Sequence, residues 1–254
     1  MTLHIVIPVL NEQDRLESGI TELLKYLKTS ALKDKTYITI ADNGSTDKTE
    51  EIAKRLCERY TQLRYKKLDQ RGVGLAFRTC IQENTDDIIG YMDVDLATDL
   101  KHLDQVCEEF ESGAQIVVGS RLLKNSNVVG RTLKREITSR GLNFLLKVLL
   151  HVKFSDAMCG FKFYQHDVAL ELTRLCSENK GWFYCAEMMI RAEWLGYHIT
   201  EIPVTWRDDP EGTKVKIGKL SMSYLSEIKK LRRERNQLKN ESGVDRIRLL
   251  GQNH

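Results

Sequence analysis

Residues 3–12 read LHIVIPVLNE, an apolar run from Leu3 to Val9 that ends in the polar pair Asn11 and Glu12. A short apolar run closed by proline and polar residues predicts a buried strand. The period then changes. Leu16, Ile20, Leu23, Leu24 and Leu27 recur at helical spacing behind an acidic first turn holding Glu12 and Asp14. The alternation repeats downstream. Strands are expected at 37–41, 63–68, 88–92 and 116–118, with helices at 46–60, 75–82 and 100–110 between them. This pitch predicts an α/β fold with a mainly parallel central sheet flanked by helices.

Past Arg121 the pattern shifts. Residues 122–135 are polar and basic and read as a loop. The spacing then predicts a helix over 137–150, its apolar face formed by Ile137, Phe144, Leu145, Val148 and Leu149 and widened by Leu142, Leu146 and Leu150. Strands near 161–164 and 199–206 flank two further helices. A basic helix over about 219–240 closes the pattern, giving a domain at 1–218 and a basic helical tail at 219–254.

Composition bounds the function classes. The chain has 254 residues, 30% of them charged and 41% hydrophobic, enough for a sizeable core. Mean hydropathy is −0.38, and no apolar run approaches the roughly 18 uncharged residues of a spanning helix. The nearest stretch, 142–152, contains Lys147. The N-terminus lacks the basic start and cleavage site of a signal peptide, so a cytoplasmic chain is expected. Six cysteines are scattered without a C-x-x-C pair, which points to buried reduced thiols rather than zinc. Net charge is +3, yet residues 214–248 carry 11 Lys/Arg against 4 Asp/Glu, leaving a slightly acidic body. That asymmetry suits an anionic surface.

In a parallel α/β sheet, ligands bind beyond the carboxyl ends of the strands. Those ends carry Asn11 and Glu12, the run Asp42-Asn43-Gly44-Ser45-Thr46-Asp47, the pair Asp93 and Asp95, and Gly119-Ser120-Arg121. No G-x-G-x-x-G follows the first strand, which excludes a dinucleotide fingerprint. Two carboxylates two residues apart in an extended segment point the same way. Hard oxygen donors so placed suit Mg2+ or Mn2+ shared with substrate phosphates. The alternative is a solvated acidic turn capping the next helix.

These motifs resemble family 2 glycosyltransferases of the GT-A nucleotide-diphospho-sugar transferase fold. The segment Asp156-Ala157-Met158-Cys159-Gly160-Phe161-Lys162, Trp182 with Glu187, and Gly212-Thr213-Lys214 narrow the resemblance to polyprenyl (dolichyl) phosphate glycosyltransferases. The glucosyl-type branch is closer than the mannosyl-type. The resemblance implies that Pro8, Asn11, Glu12, Val94 and Lys214 line the nucleotide-sugar pocket and that Asp42 contacts the base. It implies Asp93 and Asp95 as ligands of Mg2+ or Mn2+, and Asp156 beside the reacting sugar. Arg121, Arg131, Arg135 and Glu187 fall to the acceptor, with Arg121 and Lys214 meeting phosphates. Four positions depart from the pattern. Asn43 stands where many members have Asp, Ala97 replaces a metal-binding Gln, Cys185 replaces an Asp, and Thr213 replaces Ser.

The expected reaction is an inverting, metal-dependent transfer of a hexose from a nucleotide sugar (UDP-glucose or GDP-mannose type) to a polyprenyl phosphate. A lipid phosphate is already an anion and needs no protein base. An alcohol acceptor would need one, and Asp156 or Glu187 would serve. The rivals are a soluble family 2 enzyme acting on a sugar or protein hydroxyl, and a non-catalytic module that kept the nucleotide pocket. Expected partners are the donor, the acceptor and a membrane surface met by the basic tail and the helix at 137–150, or a membrane partner subunit that supplies the same anchoring. No nucleic acid is expected among the partners.

Overall fold

The computed structural model describes residues 1–207 and 217–240. In chain order the elements are β1 (Leu3–Val9), α1 (Leu16–Leu27), β2 (Thr36–Asp42), α2 (Thr49–Arg59), β3 (Leu63–Lys67), α3 (Val73–Glu83), β4 (Ile88–Met92), α4 (His102–Glu111) and β5 (Ile116–Ser120). They continue with β6 (Asn127–Val129), α5 (Leu133–Leu150), β7 (Phe161–Gln165), α6 (His166–Leu175), α7 (Phe183–Trp194), β8 (Ile199–Pro203), β9 (Thr205–Arg207) and α8 (Ile217–Asn240).

The main sheet has the order β3-β2-β1-β4-β7-β5-β8. Its strands run parallel except β7, which lies antiparallel between β4 and β5. Side chains of β1 alternate between two cores, as a strand period of two requires. Ile5 and Ile7 face a cluster with α1, α2 and α4, while Val6 faces one with α3, α6 and α7. The result is a three-layer α/β/α domain with the sheet buried on both faces. Gly90 lets β7 sit against β4: a Cβ there would collide with the Phe163 ring and lie 2.6 Å from the Lys162 carbonyl oxygen.

Three expectations are corrected. The strand read over 199–206 is two strands, because Pro203 has no N–H to continue the ladder. β9 leaves the main sheet to pair with β6 as a second, two-stranded sheet. The loop read over 122–135 contains β6 and the first turn of α5. That turn starts at Leu133 because Thr132 adopts an extended conformation and its hydroxyl caps the Arg135 N–H. Leu133 is 81% exposed, so burial periodicity carried no trace of it.

The face of α5 is also turned from the one expected. Asn143, Leu146 and Leu150 point inward, whereas Ile137, Phe144 and Val148 are exposed. The helix α8, described from Ile217, packs back on the domain: Tyr224, Ile228 and Leu231 join the α3/α6/α7 core. Arg191 of α7 anchors it with a bidentate pair to Glu234 at 2.7 and 3.0 Å. No helix among the described residues is long and apolar enough to cross a membrane.

Candidate active site

The loops after β1 and β2 are tied together by side chains. Asn11 takes a left-handed backbone (φ 54°), and its Oδ1 accepts from the Thr46 N–H at 2.8 Å. The Ser45 hydroxyl accepts from the Asn11 N–H at 2.9 Å, and the Thr49 hydroxyl from the Glu12 N–H at 2.8 Å. Asp42 is fully buried. Its oxygens accept from the Ser45 N–H and the Tyr65 hydroxyl, both at 2.8 Å, so its visible work is to order this loop. Asn43 donates its side-chain amide to the Val9 carbonyl at 3.2 Å, a bond the more common Asp could not make when ionised. Pro8 stays partly exposed beside Ala41.

Asp93 and Asp95 follow β4 directly. Val94 between them is buried, and two glycines admit the turn. A Cβ on Gly19 of α1 would strike the Val94 carbonyl, and one on Gly160 would strike the Asp93 carboxylate. Ala97 N–H donates to Asp95 at 3.1 Å, and Leu96 adopts φ 50°. Residues 97–99 are then clamped by β9 through Arg207 N to Ala97 O at 2.8 Å and Asp99 N to Thr205 O at 3.0 Å. Burial, then the neighbouring Asp95 charge, push the Asp93 carboxyl up to about 7 against the pull of Arg121 and Lys162. Two crowded carboxylates of this kind are stabilised by a cation.

Among the described residues, no group of three or more His, Cys, Asp or Glu gathers as a metal site. A two-carboxylate donor set fits a hard divalent ion that completes its shell with waters and substrate phosphates, and does not fit a dedicated protein cage. The donor chemistry therefore matches Mg2+ or Mn2+.

Arg121 and Asp156 meet each other. Arg121 donates from Nε at 2.7 Å and from NH2 at 3.0 Å to the two Asp156 oxygens, and its backbone N–H adds a third bond at 3.2 Å. Asp156 is completely buried and also accepts from the Met158 N–H at 3.1 Å. Burial alone would raise its pKa. The Arg121 charge and hydrogen bonds, with Lys162, outweigh that and hold it at about 2. The guanidinium also lies 4.8 Å from the centre of the Trp206 ring. Held at one edge by Asp156 and on one face by Trp206, it keeps its remaining N–H groups in a fixed direction.

Other predicted residues fall elsewhere. Glu187 is buried on α7 with its oxygens bound to the Ser177 N–H at 2.9 Å, the Ser177 hydroxyl at 2.5 Å and Arg191 Nε at 2.8 Å. It braces the segment before α7 and is covered by these partners. Arg131 pairs with Glu136 at 3.0 Å, and Arg135 occupies the first turn of α5. Lys214 lies outside the described residues. Phe183 and Tyr184 are core residues. Cys159 is buried, and burial pushes its thiol up to about 12. His166 is bonded to the Ile81 carbonyl at 3.0 Å. Sequence reasoning gave no role to Trp206 or Lys162, although both border polar motifs.

The profile of Glycosyl transferase family 2 matches residues 4–173. Glycosyltransferase AglD of Haloferax volcanii is 33% identical over 89% of this chain, which spans 36% of that protein's length. Dolichyl-phosphate beta-glucosyltransferase ALG5A of Trichomonas vaginalis is 29% identical over 85% of this chain and 68% of its own. Glucosyl-3-phosphoglycerate synthase of Mycobacterium tuberculosis, solved with UDP, superposes with a TM-score of 0.68 at 20% identity, covering 91% of this chain and 80% of that one. The same enzyme has been solved with Mn2+ and UDP and with Mg2+ and UDP. With the GT-A-like sheet and a family profile spanning more than half of its length, the chain belongs to Glycosyl transferase family 2.

Proposed function

We propose that the chain transfers a hexose, with inversion and with a divalent metal, from a nucleotide sugar to a polyprenyl phosphate of the dolichyl type. One observation carries the choice of acceptor. Asp156 and Glu187, the carboxylates that an alcohol acceptor would need as base, are both covered and both bound to arginines. A carboxylate held at about 2 by a bidentate arginine is a poor proton acceptor. A phosphate acceptor brings its own negative oxygen to the anomeric carbon and asks for no base. The relatives named for dolichyl phosphate support the same reading.

In this account Pro8, Asn11 and Glu12 border the nucleotide, Asp42 shapes the base pocket through its loop, and Asp93 and Asp95 hold the metal. The metal, when bound, neutralises the diphosphate as it departs. Arg121, fixed by Asp156 and Trp206, and the basic residues Arg131, Arg135 and Lys214 supply positive charge for donor and acceptor phosphates, where charge develops in the transition state. The test is a paired acceptor assay with UDP-glucose and GDP-mannose. Dolichyl phosphate should be glycosylated and free dolichol should not, with at least a hundredfold difference in rate. Equal transfer to the alcohol would overturn the reading.

The acceptor sits in a lipid surface, and α5 is suited to meet one. Leu133, Ile137, Phe144 and Val148 are 52–81% exposed, and their spacing of 4, 7 and 4 residues puts them on one side of the helix. Helical geometry places Arg140 and Lys147 along one border of that stripe and Lys134 along the other, an interfacial pattern. The opposite face reaches the site, where Asn143 Oδ1 accepts from the Ala157 N–H at 2.9 Å. Each basic residue near an anionic bilayer adds about 1 kcal/mol, screened by salt. Cosedimentation with phosphatidylserine vesicles should occur at low salt, weaken at high salt and fall sharply in an Ile137→Ser/Phe144→Ser variant. Binding indifferent to both salt and these substitutions would count against the assignment.

The Arg121–Asp156 pair makes a separate pH prediction. Because the folded pKa of Asp156 is below its ordinary value of 3.8, its contribution is present above about pH 4 and is lost as pH falls toward 2. Asp156→Asn leaves Arg121 buried without its counter-charge and should cost about 3–5 kcal/mol at neutral pH. In urea unfolding, the stability gap between wild type and Asp156→Asn should narrow by about 1 kcal/mol between pH 5 and pH 3. A gap that stays constant over that range would show that the pair is not ionic.

A further inference from the structure

Lys162 is the least expected side chain in the molecule. It lies on β7, in the middle of the sheet, with no exposed surface. Its Nζ donates to the Cys159 carbonyl and lies 3.4 Å from the Tyr91 hydroxyl. Among the described residues, no carboxylate is within ion-pair distance of it. Cys185 is among its neighbours, so a thiol stands beside the ammonium where a carboxylate would have neutralised it. A buried amine whose partners are a carbonyl and a hydroxyl is costly to keep charged, and burial pulls the Lys162 pKa down.

Its surroundings show what the amine holds in place. The Cys159 carbonyl that Nζ holds belongs to the residue before Gly160, and Gly160 presses its bare Cα against the Asp93 carboxylate. The ammonium thus fixes the backbone that forms the back wall of Asp93. The printed bonds of Nζ go to neither Asp93 nor Asp156. We propose that Lys162 is a positioning residue for the metal centre, which locks the Cys159–Gly160 backbone behind Asp93 so that Asp93 and Asp95 face a divalent cation together. This rests on the reading of Asp93 and Asp95 as metal ligands.

The inference predicts a split between metal-dependent and metal-independent nucleotide binding. Lys162→Met keeps the length and removes the charge and the bond to the Cys159 carbonyl. Calorimetric titration with UDP, and with GDP in parallel, is performed with and without Mn2+, alongside thermal unfolding. Binding in the presence of Mn2+ should weaken at least tenfold, as for groups that orient metal ligands, while metal-free binding stays within twofold. Replacing the charge by an apolar side chain of similar volume should leave the unfolding temperature unchanged or raised. A purely structural lysine would lower that temperature and weaken both binding modes equally. If Lys162→Met does not fold, Lys162→Arg is measured in the same way, since it keeps the charge but not the reach of Nζ, and the metal-dependent mode should again be the one that weakens. A folded variant that keeps metal-dependent binding within twofold of wild type, or loses both modes alike, overturns the inference. Wild-type protein that binds neither nucleotide more tightly with Mn2+ would instead overturn the metal reading on which it rests.

Discussion

The buried pair between Arg121 and Asp156 is the constraint from which the character of this site follows. A guanidinium and a carboxylate removed from water are tolerated only with close geometry and satisfied hydrogen bonds, and here both oxygens and the Arg121 backbone N–H are engaged. The pair joins the end of β5 to the segment before β7, so it closes the gap where the sheet turns antiparallel. It also decides the chemistry. The carboxylate is spent on holding the arginine, and the arginine gains a fixed direction that a free side chain would not have.

Around that pair the charges alternate. Asp95, Arg121 and Lys162 all bear on Asp93, and Arg121 lies over the Trp206 ring. An arrangement that holds like charges close before a ligand arrives favours a ligand carrying the missing charge. A cation and a diphosphate together answer that need. The fold contributes by placing β1, β2, β4 and β5 side ends on one rim, while the glycines at 19 and 160 let backbone and carboxylate approach more closely than any side chain would permit.

Much of this was legible in the sequence, for identifiable reasons. Strands β1, β2 and β4 are almost wholly buried and carry apolar runs, and the polar ends of those runs name the rim. Asp93 and Asp95 stood out because a strand delivered them. The second half was harder. The antiparallel placement of β7 depends on Gly90 and on pairing with β4 and β5, neither of which leaves a local pattern. The first turn of α5 is solvent-facing, and the outward side of that helix is as apolar as its inward side, so periodicity could not orient it. Glu187 is assigned to the acceptor by family resemblance alone. Its burial against Ser177 and Arg191 is a tertiary fact. Lys162 is polar in a core strand, which pattern reading takes as an exposed position.

The central claim is that transfer proceeds without a protein base because the available carboxylates are locked to arginines. The most direct test is the pH–rate profile of the wild-type protein with a prenyl phosphate acceptor, under conditions where chemistry limits, compared with a phosphonate analogue of different second pKa. The account predicts that the acidic limb follows the acceptor, near 6 for a phosphate monoester by about the usual value, and moves when the phosphonate is substituted. A limb that stays in place when the acceptor changes would assign proton transfer to an enzyme carboxylate and contradict the account.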